Sequence, residues 1–320
     1  MQRSLIVAAV LAALGSSSFA QSAVTLYGRL NVTIERQKVG SASNDWKMVN
    51  NASRFGLRGS EDLGGGMTAG FQIEHGFNIN NGGQSQGNFW ARQSEVNLGS
   101  SSWGKVRLGN FTSEAYYATA DYVSMHNHDT GTSSDAFYAY LGRNTGKAAY
   151  RTPNFSGMTF EAAITEGGTL NRTTDFAWNY DAGPLHLGAG YEDKSPTNKN
   201  AKEFAVRGLY EMGPFTVGGY VQRDTDGYGA GLGNRTTFRL SGMYTVGATE
   251  LHLNFGHAGD YSKTPTVDTA ANQYTLGINQ NLSKRTKVYA FYTQVNDKAP
   301  GIGLLYKDFK SFAVGVRHNF

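Results

Sequence analysis

Alternation with a period of two runs through most of this chain and restricts its fold more than any other feature. It is clearest at the start. Val24, Leu26, Gly28, Leu30, Val32 and Ile34 share one parity, and Thr25, Tyr27, Arg29, Asn31 and Thr33 share the other. Successive side chains of a strand point to opposite faces, so this stretch is a strand with one apolar and one polar side. With turn residues as punctuation, sixteen such runs follow one another, from 24–35 and 51–60 through 88–99 and 105–110 to 286–296 and 309–320. Half-apolar strands suit a sandwich core as well as a membrane barrel, and the connections decide between them. Tight ones (Gly183-Pro184, Gly213-Pro214, Gly247-Ala248, Ser283-Lys284-Arg285) alternate with polar loops at 36–50, 78–87, 193–201, 224–234, 260–270 and 297–308. Short turns at one end and long loops at the other are the mark of an outer-membrane barrel. In a bilayer every backbone donor needs a neighbouring strand, so the sheet must close. Sixteen strands then enclose a lumen wide enough for water.

Aromatic residues on the apolar parity near strand ends, such as Phe176, Trp178, Tyr180, Phe204 and Tyr210, fit a girdle at the lipid interface. Parity is less clean in 88–99 and in 286–296, where Tyr289 and Phe291 oppose Val288 and Tyr292. Protein contact on the outer side of those strands would explain it.

Residues 1–20 stand apart from this pattern. Met1-Gln2-Arg3-Ser4 is a short positive start, Leu5 to Leu14 is wholly apolar, and Ser18-Phe19-Ala20 supplies the small residues that a signal peptidase needs. The apolar run is too short for a transmembrane helix. The expectation is a signal peptide over 1–20 and one barrel domain over 21–320. Cysteine is absent, which excludes disulfides and thiolate metal sites. The net charge of +4 is spread among acids rather than gathered in blocks, which argues against nucleic acid as a partner.

The widest interruption of the strand pattern, about 110–145, is far beyond an ordinary loop. It holds Phe111, Tyr116, Tyr117, Tyr122, Phe137, Tyr138 and Tyr140 with the carboxylates Glu114, Asp121, Asp129 and Asp135. That is too aromatic for a solvated linker. Such a segment needs a surface to pack on, and the flanking strands supply the inside of a barrel. It is expected to fold inward and set the width of a pore. Arg29, Arg54 and Arg58 lie on the polar parity of their strands. At the midplane of the lipid face each charge would cost about 2–4 kcal/mol, so they point into the lumen. Cations and anions opposed across a narrow aqueous gap create a transverse field that favours electrolyte and small polar solutes over apolar ones.

The last strand places Phe312, Val314, Val316, His318 and Phe320 on one parity and ends on an aromatic, as barrels recognised by the outer-membrane assembly machinery do. Together with Ser22-Ala23-Val24-Thr25-Leu26-Tyr27-Gly28, Ser53-Arg54-Phe55-Gly56-Leu57-Arg58-Gly59-Ser60-Glu61-Asp62-Leu63-Gly64-Gly65-Gly66, Tyr150-Arg151-Thr152-Pro153-Asn154-Phe155-Ser156-Gly157 and Gly315-Val316-Arg317-His318-Asn319-Phe320, it resembles the Gram-negative general-diffusion porins, above all their neisserial and betaproteobacterial branch. The resemblance spans essentially the whole mature chain. It implies a trimer of sixteen-stranded antiparallel barrels in the outer membrane, in contact with its lipid and lipopolysaccharide. It also implies a third extracellular loop folded inward, its acids facing a basic wall. Carried over by position, the wall is Arg29, Arg54, Arg58, Arg92 on the fourth strand, and Arg143 leading into the sixth; on the loop, Asp121 and Glu114 are the first choices. The loop departs from the family in lacking an acidic stretch near its start and in carrying His126-Asn127-His128-Asp129.

Other signals lead nowhere. His126, His128 and Asp129 could ligate a metal, but a polar loop explains them equally, and no metal or cofactor is expected. Gly227 to Gly233 lacks the strand-to-helix setting of a nucleotide loop. Glu61 and Asp62 are adjacent and cannot flank a scissile bond. His186 and His252 sit on polar parities, away from any lipid-face serine. The expected function is passive diffusion of ions and small hydrophilic solutes with weak anion preference, and no enzymatic chemistry. The alternatives are a substrate-specific porin with a track of Tyr116, Tyr117 and Tyr122, a non-transporting adhesin or scaffold acting through 36–50 and 297–308, and a secreted sandwich.

Overall fold

The computed structural model describes residues 23–42, 44–126, 136–141, 145–166, 172–194, 201–264, 266, 268–297 and 308–320. The strands are β1 (Ala23–Val39), β2 (Asp45–Asn50), β3 (Arg54–Gly64), β4 (Met67–Gly76), β5 (Gln93–Ser100), β6 (Gly104–Asn110), β7 (Lys147–Arg151), β8 (Met158–Thr165), β9 (Thr173–Ala182), β10 (Leu185–Lys194), β11 (Ala201–Met212), β12 (Phe215–Thr225), β13 (Asn234–Val246), β14 (Thr249–Ala258), β15 (Ala271–Asn281), β16 (Thr286–Asp297) and β17 (Phe309–Asn319). Neighbours along the chain pair antiparallel, and β17 returns to β1 in the register Arg29↔Asn319 to Val39↔Phe309. The sheet is therefore closed. β2 and β3 follow one another along the same edge of β1, which makes them two halves of one strand of a sixteen-stranded barrel.

The break between those halves is a bulge. Val32 pairs with Asn50 and Arg29 with Arg54, so Leu30 and Asn31 face the three residues Asn51, Ala52 and Ser53. Ala52 takes the left-handed φ of 55°, the Asn51 N–H donates to the Asn31 carbonyl (2.9 Å) and the Asn31 N–H donates to Ser53 Oγ (3.0 Å). One extra residue exchanges the faces. In β2 the even positions Trp46 and Met48 point outward, whereas in β3 the even positions Arg54 and Arg58 point inward.

This corrects one boundary. Residues 36–50, expected as a polar loop, are mostly strand: β1 runs to Val39 and β2 begins at Asp45. Pairing continues above the bilayer, where no apolar face is required, so the alternation fades before the hydrogen bonds do. Elsewhere the strand ends move by a few residues; Arg92 lies just before β5 rather than within a strand.

The two faces divide as the alternation requires. Leu26 is 58 % exposed on the outside, whereas Asn31, on the opposite parity, is fully buried. Much of the interior is polar, with Glu161, Asp175, Glu203, Arg207, Arg235 and Arg239 buried. Tyr289 and Phe291 of β16 also point inward. Tyr289 Oη donates to Asn31 Oδ1 (2.7 Å), and Phe291 meets the ring of His126 edge-on, with centroids 5.7 Å apart. Packing inside the barrel thus accounts for the inward aromatics of 286–296. Gly183, Gly213 and Gly247 take positive φ in the two-residue turns of one end of the barrel.

Because the chain has no cysteine, single cysteines report each face without background. In proteoliposomes, Thr25→Cys and Asn97→Cys should react with a charged, water-soluble thiol reagent, and Leu26→Cys and Val316→Cys should not. The reverse pattern would overturn the assignment of faces.

Candidate functional site

The long connection between β6 and β7 enters the lumen at Phe111, which is buried against Ala149 and Ala163 and lies under the Arg107 guanidinium, 4.1 Å from its ring. Ser113 caps a single helical turn, Glu114–Tyr116, by accepting the Ala115 N–H at Oγ (3.1 Å). The chain then widens into a π-type turn, Tyr117–Asp121. Two wall glycines admit this segment: a Cβ on Gly190 would lie 2.7 Å from the Ala115 carbonyl oxygen, and one on Gly188 only 2.3 Å from that of Ala118. The Arg207 Nε–H donates to the Ala118 carbonyl (2.9 Å), with its guanidinium stacked 3.5 Å from the Tyr122 ring centroid. Tyr122 Oη in turn donates to Asp181 (2.6 Å).

The stretches on either side of residues 127–135 lie along the same wall. His126 sits against Gly277, with its ring 4.8 Å from that of His252. On the return leg Phe137 packs with Ala258, Ala271, Val295 and Phe309, and Tyr138 Oη donates to Glu203 (3.2 Å). Gln222 clasps Ala139 by both backbone groups (2.8 and 3.0 Å), and Glu192 accepts the Leu141 N–H (3.0 Å). The described part of the loop thus lies on β7 to β16 and touches the start of β17, and it faces the wall of β1 and β3 to β6.

Arg29, Arg54 and Arg58 belong to that facing wall. Arg29 and Arg54 are directly opposite across β1 and β3, and Arg58 lies over the Tyr27 ring (5.2 Å). Arg92 donates to Glu74 (2.6 Å), which also faces Arg54 at 3.7 Å. Arg92 and Glu74 both lie within electrostatic reach of the Tyr117 hydroxyl on the loop. Glu114 meets an arginine outside the expected set. It pairs with Arg151 at the loop's root, and its burial raises its pKa despite that partner. Asp121, at the end of the π-type turn, is exposed to the lumen. Arg143, Asp129 and Asp135 lie outside the described residues, as does His128.

The lumen wall also holds groups that the sequence reading did not single out. Arg107 is fixed by Glu95 (2.7 Å) and Glu161 (3.2 Å), and Arg151 also donates to Glu161 (2.8 Å). Lys287 stands directly opposite Arg317. All of them occupy the inward parity of their strands, the one local signal that could have found them. Of the three tyrosines proposed as a solute track, Tyr116 packs between Tyr138 (5.6 Å) and Tyr140 (5.3 Å), and Tyr122 is held under Arg207. Tyr117 is the one more widely open, 40 % exposed.

A closed sixteen-stranded barrel with a polar lumen and an inward loop is the framework of a pore. A family model described as Gram-negative porin matches residues 7–300. The chain belongs to the Gram-negative porin family. It is 28 % identical to an outer membrane porin protein of Bordetella pertussis and 29 % identical to outer membrane porin protein 32 of Delftia acidovorans, each comparison covering 100 % of both chains. Among solved structures it is similar in fold to the anion-selective porin from Comamonas acidovorans, with a TM-score of 0.76 and 24 % identity over 94 % of this chain and 100 % of that one. It is also similar to OmpT of Vibrio cholerae in its trimer form, with a TM-score of 0.71 and 14 % identity over 93 % and 99 % of the two chains. This porin sits in the Gram-negative outer membrane as a channel for passive diffusion.

The docking of His126 yields a pH dependence. Burial, followed by the positive fields of His252 and Lys287, pushes its pKa down to about 3. A group that is harder to protonate when docked favours docking fully above its free pKa, about 6.5, and progressively less as pH falls toward 3. Each pH unit in that window shifts the balance roughly tenfold. Single-channel current should therefore become noisier between pH 6.5 and pH 4, as the loop tip leaves the wall. His126→Gln, which cannot titrate, should remove that dependence.

Proposed function

We propose that this porin works as a homotrimer with a weak preference for anions, set where the loop faces the basic wall. The observation that carries the preference is the direct opposition of Arg29 and Arg54 across β1 and β3, with Arg58 on the same strand face. Two guanidinium groups side by side on the lumen wall raise the local positive potential, which draws mobile anions into the water-filled passage. Glu74 offsets Arg54 and Arg92 in part, while Glu114 is engaged by Arg151. Asp121 is an exposed carboxylate on the described loop. The trimer rests on the family and on the trimer form of the Vibrio cholerae protein. Residues 1–20 are proposed to be the export signal, on the strength of their charged start, apolar run and small-residue end. The barrel acts by passage alone, without chemistry on its solutes.

Reversal potentials across a KCl gradient in planar bilayers test the preference. The wild-type channel should favour chloride. Arg29→Ala with Arg54→Ala should lower its chloride-to-potassium permeability ratio roughly two- to threefold per arginine, the size of an about 0.6 kcal/mol through-water attraction at about 7 Å. A wild-type channel that favours potassium would overturn the reading.

A further inference from the structure

One lateral row of the inner wall is acidic over four successive strands. Asp175, Glu192, Glu203 and Asp224 each stand directly opposite the next across β9 to β12, and Arg235 of β13 follows. All five are buried, at 1 % exposure or less. The row lies beside the outward rings of Phe176, Tyr191 and Phe204, at the girdle where strands leave the hydrocarbon. Directly opposite side chains start about 4.5–5.5 Å apart, so four ionised carboxylates cannot share this row uncompensated. The two end acids have cations at hand. Lys147 Nζ lies 2.5 Å from Asp175 Oδ2, and Asp224 is opposite Arg235, whose guanidinium donates to the Gly259 carbonyl and the Tyr261 hydroxyl. Among the described residues no cation pairs with the two acids between them.

Those two hold the loop stretch 136–141. Glu203 accepts the Tyr138 hydroxyl at Oε1 (3.2 Å) and the Gln222 amide at Oε2 (2.8 Å), while Gln222 clasps Ala139. Glu192 accepts the Leu141 N–H at Oε2 (3.0 Å), and its Oε1 is buried with no hydrogen-bond partner among the described residues. A bare carboxylate oxygen shut away from water, directly opposite a second carboxylate, is costly on both counts. A proton at Glu192 Oε1 removes both costs: it leaves one charge where there were two and turns the bare oxygen into a hydroxyl. The other groups facing the pair do not neutralise it. Lys147 is within electrostatic reach of Glu192 but is engaged by Asp175, and Asp175 and Asp224 only add to the negative field. Tyr138 and Tyr140 stay neutral, since burial raises their pKa, and Tyr220 packs edge-on against Tyr138 (5.5 Å).

We propose that Glu192 and Glu203 are positioning residues that hold one proton between them, and that this proton keeps residues 136–141 on the wall. Two carboxyl groups too close to ionise together share a proton in this way. Its loss leaves two like charges beneath Tyr138 and Leu141, and the water that must enter to solvate them lifts the stretch. A proton bound only while the pair is covered favours covering fully below about pH 4.3, the value of a free glutamate, and ever less as pH rises above it. The sign is opposite to that of His126, and the pair takes no part in the ion preference of the basic wall.

Infrared spectra of the full refolded chain in proteoliposomes test this directly. At about pH 6 the wild type should show the carbonyl stretch of a protonated carboxyl group, and Glu192→Gln with Glu203→Gln should lose it. In planar bilayers, on a His126→Gln background, open-channel noise should rise between about pH 6 and pH 9, by up to roughly tenfold per pH unit for one proton. Glu192→Gln, which imitates the protonated group, should stay quiet throughout, and Glu192→Ala should be noisy throughout. Unchanged conductance at the acid end of that range shows that the Gln variant is folded, and the wild-type band and its loss with rising pH decide the matter should a variant fail to insert. No protonated-carboxyl band in the wild type, a band that survives the double substitution, or noise that rises equally in Glu192→Gln would each overturn the proposal.

Discussion

Everything in this molecule depends on the hydrogen-bonded seam between β17 and β1. A strand edge left open in hydrocarbon would expose unpaired N–H and C=O groups at several kcal/mol each, so the barrel exists only as a closed ring. Closure separates lipid from water on two faces of a single sheet. Each strand must then be apolar on one parity and polar on the other. The same closure traps a lumen, and the lumen gives the connection after β6 a place to go.

How that connection is held explains why it narrows the barrel without filling it. Gly188 and Gly190 let its backbone lie almost on the wall, and polar wall side chains (Arg207, Gln222, Glu192) take up the backbone groups that its irregular path leaves over. Its aromatic residues pack on one another and on Tyr220, Val295 and Phe309, so a small hydrophobic core forms inside a polar cavity. The described part of the loop covers one side of the wall, opposite Arg29, Arg54 and Arg58. The asymmetry places a cationic surface opposite an anchored loop, and a field across the passage follows from it.

Much of this was legible from the residues alone because the solvent on each side of a strand is a local matter. Val24 to Ile34 reads correctly since each position has only to choose between the lipid face and the polar interior. The same logic placed Arg29, Arg54 and Arg58 inside. It failed where the local rule lapses. Residues 36–50 lost their alternation above the membrane and past the Asn51–Ser53 bulge, yet remained paired. Tyr289 and Phe291 looked misplaced because what they touch inside the barrel, Asn31 and His126, is remote in sequence. Glu114 read as a pore acid, but its partner Arg151 is brought to it only by the fold of the loop root.

The sequence by itself determined that this is a closed outer-membrane barrel of sixteen strands, which parity is wet, and that one long aromatic segment must lie within, because periodicity and loop length are properties of neighbouring residues. The tertiary structure alone decided which side of the wall that segment covers, which carboxylates it leaves to the water, and that four buried acids meet in one row of the inner wall. Those outcomes depend on distances between residues far apart in the chain, and such distances are set only when the sheet closes and its two ends meet.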